Sequence, residues 1–496
     1  MNPQPSLRAF LKLCKPGRAV PVRIEVDADT ETPVSAFLKI SRGQRHAFLL
    51  ESVEGGERSA RFSFIGAGPR HVVRWKLGDR GDPIDAIRAL LASHTAVRVP
   101  GTPPFAGGLV GHVAWDAVQR FEPRVPIAKP DELGFPDVLL GDYDEVVAFD
   151  NRRHSLHLVC EVRCGPGDDP KALYAKAVRR LQARLRLLRR PLVDRRHRPP
   201  KEPARLVPRV GRREFEAAVA RAKEYVTAGD CQQIVLSQRF DAETKLPPFE
   251  IYRALRRVNP SPYLFYVQDG DRALVGSSPE TLIKLANGQV TLRPIAGTRR
   301  RGADAAEDAR LEEELRADPK ENAEHVMLVD LGRNDVGRVS SVGTVEVTAF
   351  KTVERYSHVM HLVSEVHGEL AAGLDAVDVL RAGFPAGTVS GSPKVRAMEI
   401  IDELEPARRG PYAGAVGYFD RGGDMDMAIA IRTLMASAGR ISVQSGAGIV
   451  YDSDPATEYV ETVNKARAVF TAVAQAEQRS LDAIARPPSE RNGGRR

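Results

Sequence analysis

The sequence predicts an α+β protein, and two patterns carry that prediction. Short runs with strand character dominate the chain before residue 190, whereas helical patterns alternate with strands after residue 212. A chain of 496 residues, 42% hydrophobic and 28% charged, has the composition of a globular protein that can bury a sizeable core. Disorder is therefore not expected, and no internal repeat is visible.

The predicted strands and helices are distributed unevenly along the chain. Before residue 190 the strand-like runs are Val20–Val26, His46–Leu50, His71–Trp75, Val146–Phe149 and Ser155–Val162. After residue 212 the helical patterns are Arg213–Ala228, Ala305–Leu331 and Ala456–Gln475. The strands between them are Gln233–Leu236, Tyr263–Val267, Gln289–Arg293 and Arg440–Val443.

A basic, proline-bearing stretch separates the two regions. The net charge of +8 is concentrated between Val178 and Arg213 and in the tail Arg486–Arg496. Such stretches are usually solvated linkers and tails, and zinc-finger spacing and RNA-binding aromatic motifs are absent, so we expect no nucleic-acid binding. The sequence thus predicts an N-terminal region (1–190), a linker (191–212), a large catalytic region (213–475) and a basic tail (476–496).

Two further expectations concern location and cysteine chemistry. No apolar run approaches the roughly 18 residues that a membrane helix needs, and the polar segment Met1–Arg18 does not resemble a secretory signal. We therefore expect a cytoplasmic protein without a membrane partner. Cys14, Cys160, Cys164 and Cys231 lack the tight pairing of a disulfide framework or a zinc site, so we expect plain packing.

The most specific local pattern is a pair of Glu-x-x-Glu steps on predicted helices. Glu321 and Glu324 form one step, and Glu458 and Glu461 form the other. Residues three apart share a helix face, so two such helices facing inward make an oxygen-only site of the kind that Mg²⁺ prefers. Spacing alone leaves a second reading open, in which both are ordinary solvated helix faces.

Glycine-rich segments mark three places in the same region: Pro294–Thr298, Gly387–Lys394 and Gln444–Gly448. Glycines let backbone N–H groups approach an anion closely. None of the segments fits a phosphate-binding loop or a dinucleotide fingerprint. They suit a small, multiply charged anion, and ordinary tight turns remain the alternative.

Three single residues are candidates with open alternatives. His361 is able to exchange protons near neutral pH, although a structural histidine is more usual. Arg432 lies in the apolar run Ala428–Leu434, where an arginine needs an anionic partner from the protein or a ligand. Lys465 lies one helical turn after Glu461 and is able to pair with it.

Together these segments resemble the chorismate-utilising enzymes. The resemblance is dense from about 213 to 475, through Gly276–Thr281, Pro294–Gly302, Glu324–Asp335, Gly387–Lys394, Gly410–Tyr418 and Glu461–Ala466. In the first third, Thr32–Phe37, Leu49–Ser52 and Ser63–Gly66 are similar to the anthranilate-synthase branch of that family. The resemblance implies large antiparallel-rich sheets packed as a sandwich with flanking helices, plus an N-terminal regulatory α+β region.

The resemblance also implies roles for individual residues. Mg²⁺ would be bound mainly by Glu324 and Glu461, with Glu321 and Glu458 completing the shell, and would hold the ring carboxylate of chorismate. Glu280 would protonate the departing 4-hydroxyl, His361 would serve in proton transfers and Thr388 would line the pocket beside them. The implied substrate contacts are Gly297, Thr298, Tyr412, Arg432, Gly446, Ala447, Gly448 and Lys465, with Tyr412 and Arg432 at the enolpyruvyl carboxylate.

Two positions favour anthranilate as the product. A lysine that attacks C2 in aminodeoxychorismate synthases is replaced by Ala296, and a lysine that activates water in isochorismate synthases is replaced by Gln233. The resemblance then implies external ammonia, supplied from glutamine by a separate amidotransferase subunit in a heterotetramer. An aminodeoxychorismate synthase and a non-catalytic regulator that binds chorismate or tryptophan remain the alternatives.

Feedback inhibition by L-tryptophan is the last implied property. Ser52, Pro262, Tyr263 and Leu264 match the tryptophan site of the family, although Leu264 stands where methionine is common. The alternative is that Ser52 merely hydrogen-bonds within a turn.

Overall fold

The computed structural model describes residues 2–52, 61–192, 197, 199–355 and 359–478. The helices in this part of the chain are α1 (Leu7–Leu13), α2 (Pro33–Ile40), α3 (Pro83–Ala92), α4 (Val118–Phe121), α5 (Pro170–Leu188), α6 (Arg212–Thr227), α7 (Pro248–Val258), α8 (Ala305–Ala317), α9 (Pro319–Gly337), α10 (Ala376–Gly383), α11 (Gly387–Ser390), α12 (Lys394–Leu404) and α13 (Pro455–Ala476).

The strands of the first sheet are β1 (Arg18–Asp27), β2 (His46–Glu51), β3 (Phe62–Ala67), β5 (Thr95–Ala96), β8 (Glu145–Asp150), β9 (Ser155–Cys164), β10 (Val207–Pro208), β11 (Gln233–Glu243), β12 (Tyr263–Asp269), β13 (Arg272–Ser278), β19 (Gly391–Ser392), β22 (Thr433–Ser437) and β23 (Arg440–Ile449). Their order is β10-β11-β23-β22-β13-β12-β2-β3-β8-β9-β1-β5, and β19 pairs with β11.

The second sheet is smaller. Its strands are β4 (His71–Trp75), β6 (Gly108–Val113), β7 (Val138–Tyr143), β14 (Thr281–Ala286), β15 (Gln289–Leu292), β16 (Ile295–Arg300), β17 (Glu346–Arg355), β18 (Val359–Glu369), β20 (Ala415–Asp420) and β21 (Met425–Ile429). Their order is β16-β18-β15-β14-β21-β20-β6-β7-β4, with β17 on β18. Within the described residues only β1 and β5 pair in parallel, which confirms the expected antiparallel-rich sheets.

The alternation of side chains along a strand explains why the sheets form a sandwich. On β12, Phe265 and Val267 lie in a core that also holds second-sheet residues such as Leu109. Their neighbours Leu264 and Tyr266 lie in a separate core with residues of the flanking helices, including Phe470 of α13. Because successive side chains point to opposite faces, the first sheet packs on the second sheet with one face and on helices with the other.

Both sheets take strands from both halves of the sequence. Strand β2 pairs with β12, and β6 pairs with β20, so the N-terminal and C-terminal regions share one sandwich. None of the described helices is long and apolar enough to cross a membrane. The domain boundaries drawn from the sequence remain a prediction.

The basic stretch is more ordered than a solvated linker. Its first arginines belong to α5, which buries Leu181 and Leu188, and its last part forms β10 beside buried Leu206 and Val210. The expectation of solvation throughout is therefore wrong, because apolar residues spaced among the arginines and prolines pack on the sandwich. Residues 193–196 and 198 of the linker and 479–496 of the tail lie outside the described residues.

The cysteine expectation is also wrong for one pair. Cys14, directly after α1, forms a disulfide with Cys164 at the end of β9, with 5.9 Å between the Cα atoms. The two residues are 150 positions apart, so local spacing gave no sign of the pairing. Cys160 and Cys231 are free and buried, as expected.

Candidate active site

The two Glu-x-x-Glu steps lie at the starts of two helices that begin in the same way. Asp318 caps α9 and Asp454 caps α13, and each is followed by a proline at the first helical position. The long helical pattern Ala305–Leu331 is therefore two helices, because the residue before a proline disfavours helical geometry. This break places Glu321 in the first turn of α9, as Glu458 is in α13.

The four carboxylates carry negative charge that the protein only partly offsets. Glu321 accepts a hydrogen bond from Arg299 (3.1 Å), Glu324 accepts one from Gln233 (3.2 Å), and Glu461 pairs with Lys465 (2.6 Å). Burial raises the pKa of Glu321 and of Glu458, and the neighbouring carboxylates Glu324 and Glu461 raise them further. Such a donor set fits a hard cation. No three acidic, histidine or cysteine side chains converge in metal-binding geometry within the described chain.

Glu280 lies at the corner between β13 and β14, is half-buried, and is the candidate acid of the site. Its backbone is fixed on both sides, because its N–H donates to Ser278 and its carbonyl accepts from Ile429 N–H. The Thr388 hydroxyl donates to its carboxylate (2.9 Å). Burial raises the pKa of Glu280, although Thr388 and Arg432 favour the ionised form. A carboxyl group in this state is suited to donate a proton.

His361 faces Thr298 across two paired strands. The register of β16 and β18 aligns these residues, with His361 Nδ1 at 3.0 Å from Thr298 Oγ1 and 3.1 Å from the Gly297 carbonyl oxygen. Burial lowers the pKa of His361, so the ring is neutral near pH 7. Gly297 has a φ of +71°, and a Cβ there would lie 3.2 Å from Glu321 Oε2, which ties this turn to α9.

Arg432 lies between β21 and β22 with a φ of +50°. Burial lowers its pKa, and the electrostatic effects of Glu280, Tyr412 and Glu461 partly offset this decrease. Its guanidinium has no hydrogen bond or ion pair within the described residues. Five unused N–H donors beside a buried tyrosine make a receptor for a carboxylate.

The glycines of the third segment lie inside a strand. Because β23 continues to Ile449, the alternative of an ordinary tight turn at Gly446–Gly448 is excluded, and the strand predicted at Arg440–Val443 extends through these glycines. A Cβ on Gly446 would lie 3.0 Å from Tyr412 Oη, and one on Gly448 would lie 2.6 Å from Gln233 Nε2. The glycines thus allow close approach of side chains. Ala447 is fully buried, and Lys465 Nζ donates to the Gly446 carbonyl (3.0 Å).

The structure brings these candidates into one cluster. Arg432 acts electrostatically on Glu280, Tyr412, Glu461 and His361, and Lys465 connects Gly446 with Glu461. Three residues of this cluster were not predicted from the sequence in these roles. The amide of Gln233, a residue that the sequence analysis uses only to exclude a product, contacts Glu324. Glu405 and Arg409 form a buried pair below Tyr412, and the double arginine Arg408-Arg409 was the only sign of it in the sequence.

The four residues of the predicted tryptophan site lie in a separate place. Strand β2 pairs with β12 so that Glu51 faces Leu264, which joins the two segments that the sequence separates by more than 200 residues. The Ser52 hydroxyl is buried without a hydrogen-bond partner in the described structure. Tyr263 donates to Asp426 on β21 (2.9 Å), so it also links the two sheets, and Pro262 is half-buried beside it.

Comparison with known proteins gives consistent matches over nearly the whole chain. A family model described as chorismate binding enzyme matches residues 45–471. Anthranilate synthase component 1 of Pseudomonas putida is 47% identical over 491 residues, which cover 95% of this chain and 99% of that protein. The protein of the same name from Thermus thermophilus is 48% identical over 471 residues, or 93% and 99% of the two chains.

Solved structures agree on the fold. The crystal structure of anthranilate synthase component I from Streptococcus pneumoniae has a TM-score of 0.75 and 39% identity, covering 84% of this chain and 95% of that chain. The menaquinone-specific isochorismate synthase of Escherichia coli has a TM-score of 0.68 at 21% identity, covering 94% and 98%. At 21% identity, the match to the isochorismate synthase is evidence for the fold alone.

Proposed function

The chain belongs to the family of chorismate binding enzymes, and we propose that it converts chorismate and ammonia to anthranilate, pyruvate and water. Relatives named anthranilate synthase component 1 support the reaction at 47–48% identity. The observation that carries the proposal is the unpaired guanidinium of Arg432 in the electrostatic neighbourhood of Glu280, whose carboxyl group has a raised pKa, and of Glu461.

Chorismate has two carboxylates, and the site offers a separate receptor for each. Arg432 and the Tyr412 hydroxyl bind the enolpyruvyl carboxylate. Glu324 and Glu461, with Glu321 and Glu458 beside them, would hold Mg²⁺, which would supply positive charge to offset the ring carboxylate. Lys465 adds positive charge at the same end, and the backbone of Gly297, Gly446 and Gly448 allows the ring to lie close.

Proton transfers then follow from the states of two groups. Glu280 donates its proton to the 4-hydroxyl, which leaves as water while ammonia forms a bond to C2. The two ring double bonds shift from C1=C2 and C5=C6 to C1=C6 and C4=C5, and the new ammonium group returns one proton to the Glu280 carboxylate. Neutral His361 accepts the C2 proton and returns it to the enolpyruvyl methylene carbon, so that pyruvate leaves and the ring becomes aromatic. Thr388 and Thr298 hold the two side chains during these steps.

A reaction that stops at aminodeoxychorismate is the alternative within the family. Ala296 offers no nucleophile, and Gln233 donates to Glu324 and offers no base, so both features favour external ammonia and complete elimination.

The name component 1 of the relatives implies a partner component. We propose that the partner is a glutamine amidotransferase, which supplies ammonia within a heterotetramer, and that L-tryptophan inhibits the assembly.

The test is to incubate the purified chain with chorismate, Mg²⁺ and ammonium, and to identify the product by mass spectrometry and fluorescence. We expect anthranilate and pyruvate in equal amounts, with no product from glutamine until the amidotransferase is added. Accumulation of aminodeoxychorismate would contradict the argument that Ala296 and Gln233 favour complete elimination to anthranilate. Absence of any turnover would contradict an enzymatic role.

A further inference from the structure

A charged pair lies fully inside the protein directly behind the candidate active site. Arg409, in the loop after α12, is 2% exposed, and its partner Glu405 at the end of α12 is 5% exposed. Two hydrogen bonds of 2.9 and 2.6 Å join the guanidinium to the two carboxylate oxygens. The polar groups of both side chains are occupied by protein partners, so the pair needs a reason other than direct contact with substrate.

The remaining donors of Arg409 hold two pieces of the site's backbone. One donates to the Val389 carbonyl and another to the Val235 carbonyl, both at 2.7 Å. Val389 follows Thr388, whose hydroxyl donates to Glu280, and Val235 lies in β11 opposite Gly448. The guanidinium thus spans from the turn that carries Thr388 to the strand beside the glycine segment.

Glu405 extends the same network to a third point. Its Oε1 accepts from the Ser237 N–H and from the Ser237 hydroxyl, both at 2.8 Å, and Ser237 lies opposite Gly446 in the β11–β23 register. The Arg409 guanidinium also lies over the rings of Trp115 (4.3 Å) and Tyr412 (5.7 Å). Tyr412 and the strand positions opposite Gly446 and Gly448 therefore all contact the pair, which links it to three parts of the site.

We propose that Arg409, held by Glu405, is a positioning residue that fixes the Val389 carbonyl and thereby aims the Thr388 hydroxyl at Glu280. A buried ion pair is weak evidence for stability, because removal of the two charges from water offsets much of their attraction. The planar guanidinium provides donors in three directions at once, which the compact ammonium of lysine is unable to do. The geometry therefore requires arginine and not only positive charge.

The inference rests on the proposed function, so the wild-type assay comes first. If wild type forms no anthranilate, the proposed function fails; if it does, Arg409→Lys tests the positioning role. We expect this variant to keep the far-UV spectrum and cooperative melting while kcat falls about 10–100-fold, since a displacement of about 1 Å is able to cost about 10²-fold. The matched control is Arg408→Lys, because Arg408 donates to the carbonyls of Lys129 and Ile127 away from the site.

A double-mutant cycle separates positioning from a general structural effect. In a Thr388→Val background, where no hydroxyl remains to be aimed, Arg409→Lys should lower kcat by no more than about twofold, the ordinary error of additivity. Persistence of the full loss in that background, or full activity of Arg409→Lys alone, overturns the proposal. If Arg409→Lys does not fold, Glu405→Gln takes its place in the same cycle with the same criteria, because it keeps the side-chain shape and weakens the hold on Arg409.

Discussion

Glu280 illustrates how burial gives a common residue an uncommon protonation state. Glu280 is half-buried, and burial of its carboxyl group raises the pKa because the charged form is poorly solvated there, while the Thr388 hydroxyl only partly offsets this cost. An acid is active in its protonated form, so a raised pKa extends the active range toward neutral pH.

The first prediction is a pH dependence. At a constant concentration of free NH₃, kcat should fall as pH rises through the raised pKa of Glu280. Thr388→Val removes a hydrogen bond that favours the carboxylate, so the pKa of Glu280 rises further and the falling limb moves to higher pH. Rate profiles of wild type, Thr388→Val and the control Thr471→Val on α13 check this, and a limb that moves to lower pH contradicts it.

The second prediction concerns Arg432, which has no protein partner among the described residues. Arg432→Met should raise KM for chorismate about 10–100-fold, since hydrogen bonds to charged groups contribute about 1.5–3 kcal/mol. Arg440→Met is the control, because Arg440 is exposed at the start of β23. Steady-state kinetics at saturating Mg²⁺ measure the effect, and an unchanged KM in Arg432→Met would place the carboxylate elsewhere.

Among the secondary-structure elements, the sequence predicted those whose signals are local. The strand His71–Trp75 and the helix Ala456–Gln475 match the structure within a residue, because alternation and helical periodicity are properties of short segments. The strand predicted at Ser155–Val162 continues two residues further, to Cys164. The strand through Gly446 and Gly448 was missed, since glycine indicates a turn unless a side chain from elsewhere requires the space.

The residues of the candidate site also divide into those with a local sequence signal and those without one. The Glu-x-x-Glu steps and their caps are visible in a few adjacent residues, and the family resemblance supplied Glu280 and the roles of His361 and Arg432. The contact of Gln233 with Glu324 and the Glu405–Arg409 network depend on packing between distant segments, and no short pattern encodes them.

The third prediction concerns helices α9 and α13, whose first turns carry the carboxylates. After treatment with EDTA, wild type should regain turnover on addition of Mg²⁺. Glu324→Gln should need at least about tenfold more Mg²⁺, because even an indirect change near a metal costs about 10–100-fold in affinity. Glu313→Gln on α8 is the control, since Glu313 is exposed. Calorimetric titration of Mg²⁺ into the chain with chorismate provides a readout independent of turnover, and equal affinities contradict the assignment.

At the scale of the whole molecule, the disulfide Cys14–Cys164 fixes the N-terminal helix to the far end of the first sheet. The fourth prediction is that Cys14→Ser lowers the free energy of unfolding by about 2–4 kcal/mol under non-reducing conditions and has no effect on kcat. Unfolding in urea measures the first quantity. Thiol titration in denaturant should find only Cys160 and Cys231 before reduction, and detection of all four thiols at that stage would contradict the disulfide.

The shared sheets also allow a ligand at one place to affect the other. Strand β12 contacts β2 on one side and β13 on the other, and β13 leads directly to Glu280. A ligand that changes the packing of β2 on β12 therefore acts on an element that positions the acid. Coupling between two such sites is reciprocal and typically amounts to about 1–3 kcal/mol.

The fifth prediction is feedback inhibition by L-tryptophan at Ser52, Pro262, Tyr263 and Leu264. The buried Ser52 hydroxyl without a protein partner is suited to bind the amino-acid end of the ligand, and a buried polar group without a partner is costly unless a ligand satisfies it. Ser52→Phe should fill the space and relieve inhibition while uninhibited turnover stays nearly intact, because Ser52 is assigned no catalytic role. Chorismate should weaken tryptophan binding by the same factor by which tryptophan weakens chorismate binding, as measured by equilibrium dialysis. Wild type that is insensitive to millimolar tryptophan, or a Ser52→Phe variant inhibited as strongly as wild type, would contradict the prediction.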